Sequence, residues 1–424
     1  MRIQDVVCVP VRSGFYRDDQ AAIRAGAGHD GWLYAGAPLT PGFRAIREPG
    51  EAVSVLLVLD DGQVAVGDCA EVQYSGAGGR APVFSSAEAV NVIARLAPVL
   101  TSAEWTDFRS AAEHIDRYVA DGDRLAPAVR YGVTQALLHA RSLDQGLTMA
   151  EVVREEYSTG AELVPVPIYA QTGDDRYTNV DKMIMKEVDV LPHGLINHVA
   201  TKLGANGELL RDYVSWLSRR ILAVRSSPAY SPRLHIDTYG TIGLAFGTDL
   251  QRVADYLALL SECAAPFKLS VEHPIDAGSR DAQVEVYAAL RAVLRAKGVP
   301  VDLVVDEWCN TLEDIEAFVA AAAADVIHVK MPDLGGVNNT IEALLHVKRN
   351  GLAAYCGGTC NETDVSGRVS AHVAMACDAD QVLAKPGMGV DEGLMVVGNE
   401  MARVAALARS RTQSRPGSPS ERAT

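Results

Sequence analysis

From Val164 onward, short apolar runs alternate with longer segments of helical periodicity, and this alternation constrains the fold more than any other feature of the chain. Strands that alternate with helices form βαβ units with a parallel sheet. Eight strands within about 220 residues are typical of a closed (β/α)₈ barrel of the TIM type. The predicted strands are Val166–Gln171, Ile196–Leu203, Leu234–Asp237, Lys268–Glu272, Val301–Asp306, Val326–Lys330, Ala353–Cys356 and Gln381–Lys385. An open doubly wound sheet is the alternative, but no GxGxxG sequence follows the first strand.

The segment before Val164 mixes strands and helices without a repeating unit. A strand over Ile3–Val11 and a hairpin formed by Ala52–Leu59 and Val64–Gln73 precede three helical stretches. A run of strands followed by a run of helices favours a separate α+β domain. The sequence therefore predicts an α/β protein with an α+β domain over residues 1–161 and a barrel over 162–408. The polar segment 409–424, rich in Ser, Arg and Pro, is predicted to be disordered.

Charge and composition narrow the partners of the chain. The formal net charge is −15, whereas nucleic-acid binding depends on a basic surface. No run approaches the roughly 18 apolar residues of a membrane helix, and the first residues do not have the pattern of a signal peptide. The seven cysteines form no CxxC pair, which argues against a disulfide framework or a zinc knuckle. We therefore expect a cytoplasmic protein with a small-molecule substrate, and neither a nucleic-acid nor a membrane partner.

Three acidic residues end three successive predicted strands. Asp237 precedes Glu272 by 35 residues, and Glu272 precedes Asp306 by 34, which is one βα repeat each time. Consecutive strands of a parallel barrel bring such residues side by side at the carboxyl-end mouth. Oxygen ligands without Cys or His suit a hard divalent cation, most simply Mg²⁺. Each acid taken alone would be interpreted as a helix cap or a loop residue, but three in register favour a metal site.

The next strand, VIHVK, carries a lysine at its end. Alternation places Val326, His328 and Lys330 on one face. A lysine beside a bound dication is a candidate general base. Two alternatives remain at this point: a lysine that only pairs with one of the carboxylates, and a lysine that forms a Schiff base with a carbonyl substrate.

Other strand ends offer groups for an anionic ligand. Gln171 ends the first strand, and Thr359 and Cys360 follow the seventh in YCGGTCNETD. Cys360 is a weak candidate nucleophile because the sequence places no His beside it. The glycine-rich segment YSGAGGR, ending at Arg80, is interpreted as a mobile loop of the first domain, since no Gly-Lys-Ser/Thr follows it. His193, in LPHGLINH, receives no role from spacing alone.

The acids, the lysine and the domain order together resemble a known group of enzymes. Asp, Glu and Asp on consecutive barrel strands, a Lys on the next and an α+β domain in front resemble the enolase superfamily, whose Lys or His base works with Mg²⁺. The strings AQTGDDRYTNVDKMI, CGGTCNETD and LAKPGMGVDEG are similar to the methylaspartate ammonia-lyase family. The similarity extends from about Met1 to Ala408.

The resemblance implies an enolase-like barrel with an N-terminal capping domain. It implies reversible elimination of ammonia from L-threo-3-methylaspartate to give mesaconate, by removal of the C3 proton and a metal-stabilised enediolate. Composition and spacing do not distinguish loss of ammonia from loss of water, so that step rests on the resemblance alone. The resemblance further implies Mg²⁺ with a monovalent cation such as K⁺, a homodimer, and a place in amino-acid degradation through glutamate catabolism.

The roles of individual residues follow from the same resemblance. Asp237, Glu272 and Asp306 match metal ligands, Lys330 matches the base for the C3 proton, and His193 matches a second acid/base on the opposite face of the substrate. The positions that match substrate-binding residues are Gln73, Gln171, Thr359 and Cys360 for its polar groups, and Tyr169, Tyr355 and Leu383 for its methyl group.

One position departs from the family pattern. His328 stands where the family usually has Gln, and both side chains can donate to the metal-bound carboxylate of the substrate, but His can also titrate. Three alternative functions remain open: another enolase-superfamily dehydratase or racemase, a Schiff-base aldolase that uses Lys330, and a barrel without catalytic activity. The complete set of three acids and a lysine argues against the last of these.

Overall fold

Eight parallel strands close into a barrel within the residues that the structure, a computed structural model, describes: 1–120, 122–247, 249–388 and 390–414. The strands are β8 (Ile168–Tyr169), β9 (Val190–His193), β10 (Arg233–Asp237), β11 (Leu269–Glu272), β12 (Val301–Val305), β13 (Val326–Lys330), β14 (Ala353–Gly357) and β15 (Gln381–Leu383). They follow chain order around the barrel, and β15 closes on β8. The (β/α)₈ barrel predicted from the sequence is confirmed.

Helices fill the connections between the barrel strands, and one more helix follows the last strand. They are α6 (Thr178–Met185), a short π-helix (Val199–Leu203), α7 (Glu208–Val224), α8 (Thr241–Phe246), α9 (Leu250–Ala264), α10 (Arg280–Lys297), α11 (Leu312–Ala320), α12 (Met331–Leu334), α13 (Val337–Arg349), α14 (Asp364–Ala376) and α15 (Glu392–Ser414). Buried apolar residues recur on one face of each long helix, which packs that face against the barrel.

Two predictions about this region were wrong. The second strand is Val190–His193, and the segment 196–203 that was predicted as a strand contains the π-helix instead. His193 therefore ends the second strand and does not precede it. Helix α15 continues to Ser414, so residues 409–414 of the predicted disordered tail are helical. The remainder of that tail, 415–424, lies outside the described residues.

The N-terminal segment forms a three-stranded antiparallel sheet covered by helices. Its elements are β1 (Ile3–Asp18), α1 (Gln20–Arg24), β2 (His29–Asp30), β3 (Leu33–Tyr34), β4 (Arg47–Leu59), β5 (Val64–Ala70), α2 (Ser86–Ser102), α3 (Phe108–Asp116), β6 (Val119–Ala120), β7 (Asp123–Arg124), α4 (Pro127–Gln145) and α5 (Met149–Glu156). The sheet order is β1-β4-β5, and the predicted hairpin is confirmed as β4 and β5. The predicted boundary between residues 161 and 162 falls in the connection from α5 to β8.

Helix α4 joins the two parts of the molecule. It crosses β5 at Gly67 and Gly132, where a Cβ on either residue would collide with the backbone of the other element, so the glycines permit the close approach. Buried apolar residues of the sheet, α4 and the barrel helices form one continuous core. The N-terminal domain covers the carboxyl-end mouth of the barrel, where Gly14 N of β1 donates to Glu362 O at 2.9 Å. Among the described residues, no helix is both long and apolar enough to cross a bilayer.

Candidate active site

The three predicted acids and the lysine lie at the mouth of the barrel. Asp237 and Glu272 end β10 and β11 and face each other in register, Asp306 directly follows β12, and Lys330 ends β13. All four side chains are buried. Because the strands are adjacent and parallel, tertiary structure converts the one-repeat spacing into one cluster.

Two carboxylates of this cluster, with the His328 imidazole against them, form a candidate metal centre. Donor atoms of Glu272, Asp306 and His328 lie within 4.8 Å of one another. His328 Nδ1 is 2.7 Å from Glu272 Oε1 and 3.5 Å from Asp306 Oδ1. Buried, converging carboxylates supply the hard oxygen ligands that Mg²⁺ prefers, so the residues fit a magnesium ion.

Asp237 lies beside this centre and is bonded elsewhere. Its Oδ1 accepts from Tyr239 N at 3.1 Å, and its Oδ2 is 3.4 Å from His193 Nε2. His193 Nδ1 accepts from Leu195 N at 3.3 Å, which leaves the ring proton on Nε2, toward Asp237. The role of Asp237 as a metal ligand stays a prediction.

Two imidazoles hold the Glu272 carboxylate from opposite sides. His235 Nε2 donates to Oε2 at 2.8 Å, because the Gln381 amide donates to His235 Nδ1 at 3.0 Å and fixes the tautomer. His328 Nδ1 donates to Oε1 at 2.7 Å, and its Nε2 accepts from Gly358 N at 3.3 Å. Both nitrogens of His328 are thus bonded within the protein, so its contact with substrate stays a prediction. The sequence analysis missed His235, although alternation with Asp237 in LHID places it on the same strand face.

Arg80 is a second functional candidate that the sequence analysis missed. The loop interpreted as mobile reaches into the barrel mouth, and the Arg80 side chain is 1% exposed. Its Nη2 lies 3.1 and 3.2 Å from the two Asp306 oxygens, and its Nε donates to Asp333 at 3.0 Å. Lys330 Nζ donates to Asp306 Oδ2 at 2.7 Å, so a guanidinium and an ammonium share this carboxylate. No local signal marks Arg80, since its partners lie more than 200 residues away.

The local charges separate the pKa values of the two carboxylates. Burial raises the pKa of Glu272 to about 7, with a further increase from the charge of Asp237. Burial also acts to raise the pKa of Asp306, but the charges of Lys330 and Arg80 hold it well below its usual range. Asp306 therefore favours the ionised form more strongly than Glu272 does.

A small cavity of about 30 Å³ adjoins this cluster, lined by His193, Lys330 and polar side chains from both domains. Of the predicted substrate-binding residues, five line it: Gln73, Gln171, His328, Thr359 and Cys360. Gln171 Oε1 is buried and has no hydrogen-bond partner among the described residues, as expected of a group that meets a ligand. Burial raises the pKa of the Cys360 thiol to about 12, which disfavours the nucleophilic thiolate.

The three residues predicted to surround a methyl group are brought together in the barrel interior. Tyr169, Tyr355 and Leu383 belong to one fully buried apolar cluster. Tyr169 stacks on His235, and Tyr355 stacks on His328, with ring centroids 4.3 and 4.1 Å apart. Of the described residues that line the cavity, none comes from this cluster, so the methyl-pocket role stays a prediction.

The two candidate acid/base groups stand on opposite sides of the barrel. His193 ends β9 and Lys330 ends β13, and in the closed order of eight strands these two are four places apart in either direction. Both line the cavity. A planar ligand between them would present one face to each group, so the arrangement can exchange protons on both faces of such a ligand.

Comparison with known sequences gives a consistent result over nearly the whole chain. The family profile "Methylaspartate ammonia-lyase N-terminus" matches residues 1–158, and "Methylaspartate ammonia-lyase C-terminus" matches residues 161–410. A methylaspartate ammonia-lyase of Clostridium tetanomorphum is 55% identical over 408 residues, which are 96% of this chain and 99% of that protein. A methylaspartate ammonia-lyase of Citrobacter amalonaticus is 48% identical over 97% of this chain and 100% of that protein.

Solved structures agree with the sequence comparison. The crystal structure of beta-methylaspartase from Clostridium tetanomorphum, a Mg complex, matches with a TM-score of 0.92 at 55% identity, over 97% of this chain and 100% of that one. The Citrobacter amalonaticus enzyme, in a crystal structure containing (2S,3S)-3-methylaspartic acid, matches with a TM-score of 0.94 at 49% identity, over 96% of this chain and 100% of that one. A muconate lactonizing enzyme from Pseudomonas fluorescens, at 17% identity and a TM-score of 0.62 over 90% of this chain and 87% of that one, shares the fold alone.

Proposed function

The chain belongs to the methylaspartate ammonia-lyase family and is a carbon–nitrogen lyase, and from this premise we propose that it eliminates ammonia reversibly from L-threo-3-methylaspartate to give mesaconate. The observation that carries the proposal is the pair of acid/base groups, Lys330 and His193, on opposite strands beside a carboxylate cluster. The reaction removes a proton from C3 and ammonia from C2, so it needs a base held against C3.

Glu272 and Asp306, with Asp237 beside them, are the residues that would hold Mg²⁺. When bound, Mg²⁺ supplies positive charge that stabilises negative charge developing on the carboxylate next to C3. The protein keeps the oxygens of Glu272 aimed by two imidazole donors, so little reorganisation is needed at the moment of reaction. Arg80 and Lys330 keep Asp306 ionised and in place.

Lys330 Nζ, as the free amine, takes the C3 proton of the threo substrate and becomes the ammonium that donates to Asp306. His193 lines the cavity from the other side and serves the opposite face of the substrate. Gln171, Thr359 and Cys360 hold the remaining substrate carboxylate, with Gln73 near the amino group. Binding the substrate through groups remote from C3 fixes the distance between C3 and the base, which lowers the entropic part of the barrier.

Three further proposals come from the family resemblance alone. We propose that the enzyme works as a cytoplasmic homodimer, that a monovalent cation such as K⁺ assists Mg²⁺, and that the reaction serves glutamate catabolism. Activity in K⁺ against a tetramethylammonium salt tests the second, and the molar mass in solution tests the oligomer.

Ultraviolet absorbance of the conjugated product provides the direct test of the reaction. We expect the purified protein to form mesaconate from 3-methylaspartate in the presence of Mg²⁺. Exhaustive chelation of the metal should stop product formation. Asp306→Ala and Lys330→Ala should lose the activity. Full turnover without any divalent cation would contradict the metal role. Loss of water from a hydroxy acid without release of ammonia from 3-methylaspartate would favour a dehydratase, and a reduced covalent adduct at Lys330 after borohydride would favour a Schiff-base enzyme.

A further inference from the structure

A second pair of opposite charges lies behind the cavity and takes no part in the proposed chemistry. Lys385 and Glu362 are both 0% exposed, and their side chains meet at 2.8 Å. Lys385 follows the last barrel strand, and Glu362 lies in the loop after β14. Because ions buried in this way are costly unless every bond is satisfied, the partners of the pair indicate what it holds in place.

The pair is bonded to the backbone of the loop that lines the cavity. Lys385 Nζ donates to Gly357 O at 2.9 Å, and Glu362 Oε2 accepts from Thr359 N at 2.9 Å. A Cβ at Gly358 would collide with both the ammonium and the carboxylate, so the loop lies directly against the pair. The residues fixed in this way continue into Thr359 and Cys360, whose side chains line the cavity.

The N-terminal domain supplies the last partner of the pair. Tyr131, on α4, is fully buried and donates its phenol O–H to Glu362 Oε1 at 2.7 Å. The same domain bonds the loop at a second place, where Gln73 N donates to Thr359 Oγ1 at 3.1 Å. The loop is therefore held from the barrel by Lys385 and from the capping domain by Tyr131.

We infer that Glu362, Lys385 and Tyr131 are positioning residues that set the affinity of the loop 357–360 for the substrate carboxylate. The inference rests on the proposed function, in which Thr359 and Cys360 bind the carboxylate remote from the metal. That carboxylate carries its charge in both the ground state and the transition state. A displaced loop weakens both states equally, so the deficit appears in KM and leaves kcat nearly unchanged.

Tyr131→Phe is the mildest test because it removes one hydroxyl and keeps the ring. Loss of a hydrogen bond to a buried carboxylate should raise KM for 3-methylaspartate at least about 5-fold. We expect kcat to stay within about 2-fold of wild type, since the groups at C3 are untouched. Tyr157→Phe is the matched control, because the buried Tyr157 hydroxyl has no hydrogen-bond partner among the described residues. Equal KM values for the two variants would overturn the inference.

A charge series separates positioning from support of the fold. Lys385→Met alone leaves Glu362 as an unpaired buried charge and should lower the urea midpoint of unfolding. Adding Glu362→Gln removes that charge and should restore much of the midpoint, while KM stays at least about 10-fold raised because the loop bonds of Lys385 are lost. Recovery of KM together with the midpoint would show support of the fold only, and would overturn the inference.

Turnover by the wild-type protein distinguishes failure of this inference from failure of the proposed function. A wild-type protein that forms no mesaconate refutes the proposed function, and the inference fails with it. A wild-type protein that turns over normally while Tyr131→Phe and the double variant keep its KM refutes the inference alone.

Discussion

Replacing Arg80 by methionine removes a buried guanidinium and keeps a side chain of comparable length. In the wild type this group lies 3.1 and 3.2 Å from the oxygens of Asp306 and 3.0 Å from Asp333. It also lies 3.6 Å from Glu307. The variant leaves these acids in the barrel mouth with less compensating charge.

The expected cost follows from the bonds that are lost. Removing one partner of a buried ion pair costs about 3–5 kcal/mol, because the other charge stays buried. Lys330 remains bonded to Asp306 at 2.7 Å, so this carboxylate keeps one of its two cationic partners. We therefore expect Arg80→Met to lower the free energy of unfolding by about 3 kcal/mol, toward the lower end of that range.

Urea unfolding, with and without Mg²⁺, measures this effect. Without the metal the variant should show the full loss. With saturating Mg²⁺, the difference in free energy of unfolding between the wild type and Arg80→Met should decrease by at least about 1 kcal/mol. In the variant the cation replaces part of the missing positive charge, and it does not have to compete with Arg80 for Asp306. Arg44→Met is the control: its side chain is 75% exposed, and its ion pairs with Glu48 and Glu51 should contribute under about 1 kcal/mol. An Arg80→Met loss no larger than that of Arg44→Met would refute the reasoning.

Three further predictions address other parts of the molecule. Gln381→Met should weaken Mg²⁺ binding about 10- to 100-fold by calorimetry, because the His235 imidazole, which orients the metal ligand Glu272, loses its fixed tautomer. Ser270→Ala is the control and should leave Mg²⁺ binding unchanged, because the buried Ser270 hydroxyl has no hydrogen-bond partner among the described residues. A hydrogen bond from His372 lowers the pKa of Glu400 from its ordinary 4.5 to about 2. The stability that the ionised Glu400 contributes is therefore present above pH 4.5 and is lost as the pH falls toward 2. In acid unfolding curves, the difference in free energy of unfolding between the wild type and Glu400→Gln should disappear over this pH range. Lys330→Ala should abolish both elimination from the threo substrate and exchange of its C3 hydrogen for deuterium, measured by NMR. His193→Ala should abolish action on the diastereomer with inverted C3. Equal losses of activity on both diastereomers in both variants would contradict the two-face arrangement.

Local sequence patterns were sufficient to predict the barrel and the position of its acidic mouth. Apolar runs at one-repeat spacing leave a parallel closed sheet as the simplest solution, and acids at the ends of consecutive strands must then meet. Alternation in VIHVK likewise places His328 and Lys330 on one strand face, and both are found at the carboxylate cluster. Strand alternation and repeat spacing are local patterns, so a single amino-acid sequence is sufficient to reveal them.

The second strand shows where local pattern fails. Val190–His193 contains Pro192, which argues against a strand, whereas the apolar segment 196–203 has the composition of one. Closure of the barrel decides between them, because β9 must pair with both β8 and β10. Long-range pairing therefore selected a segment that local propensity disfavours.

The groups that complete the site come together through contacts between distant parts of the chain. Arg80 meets Asp306 and Asp333 across separations of 226 and 253 residues, and Tyr131 meets Glu362 across 231. Each contact joins the N-terminal domain to a segment that follows a barrel strand. Hydrogen bonds and ion pairs between buried groups depend on distances of a few ångströms, and the packing of the two domains sets those distances, whereas periodicity along the chain carries no information about them.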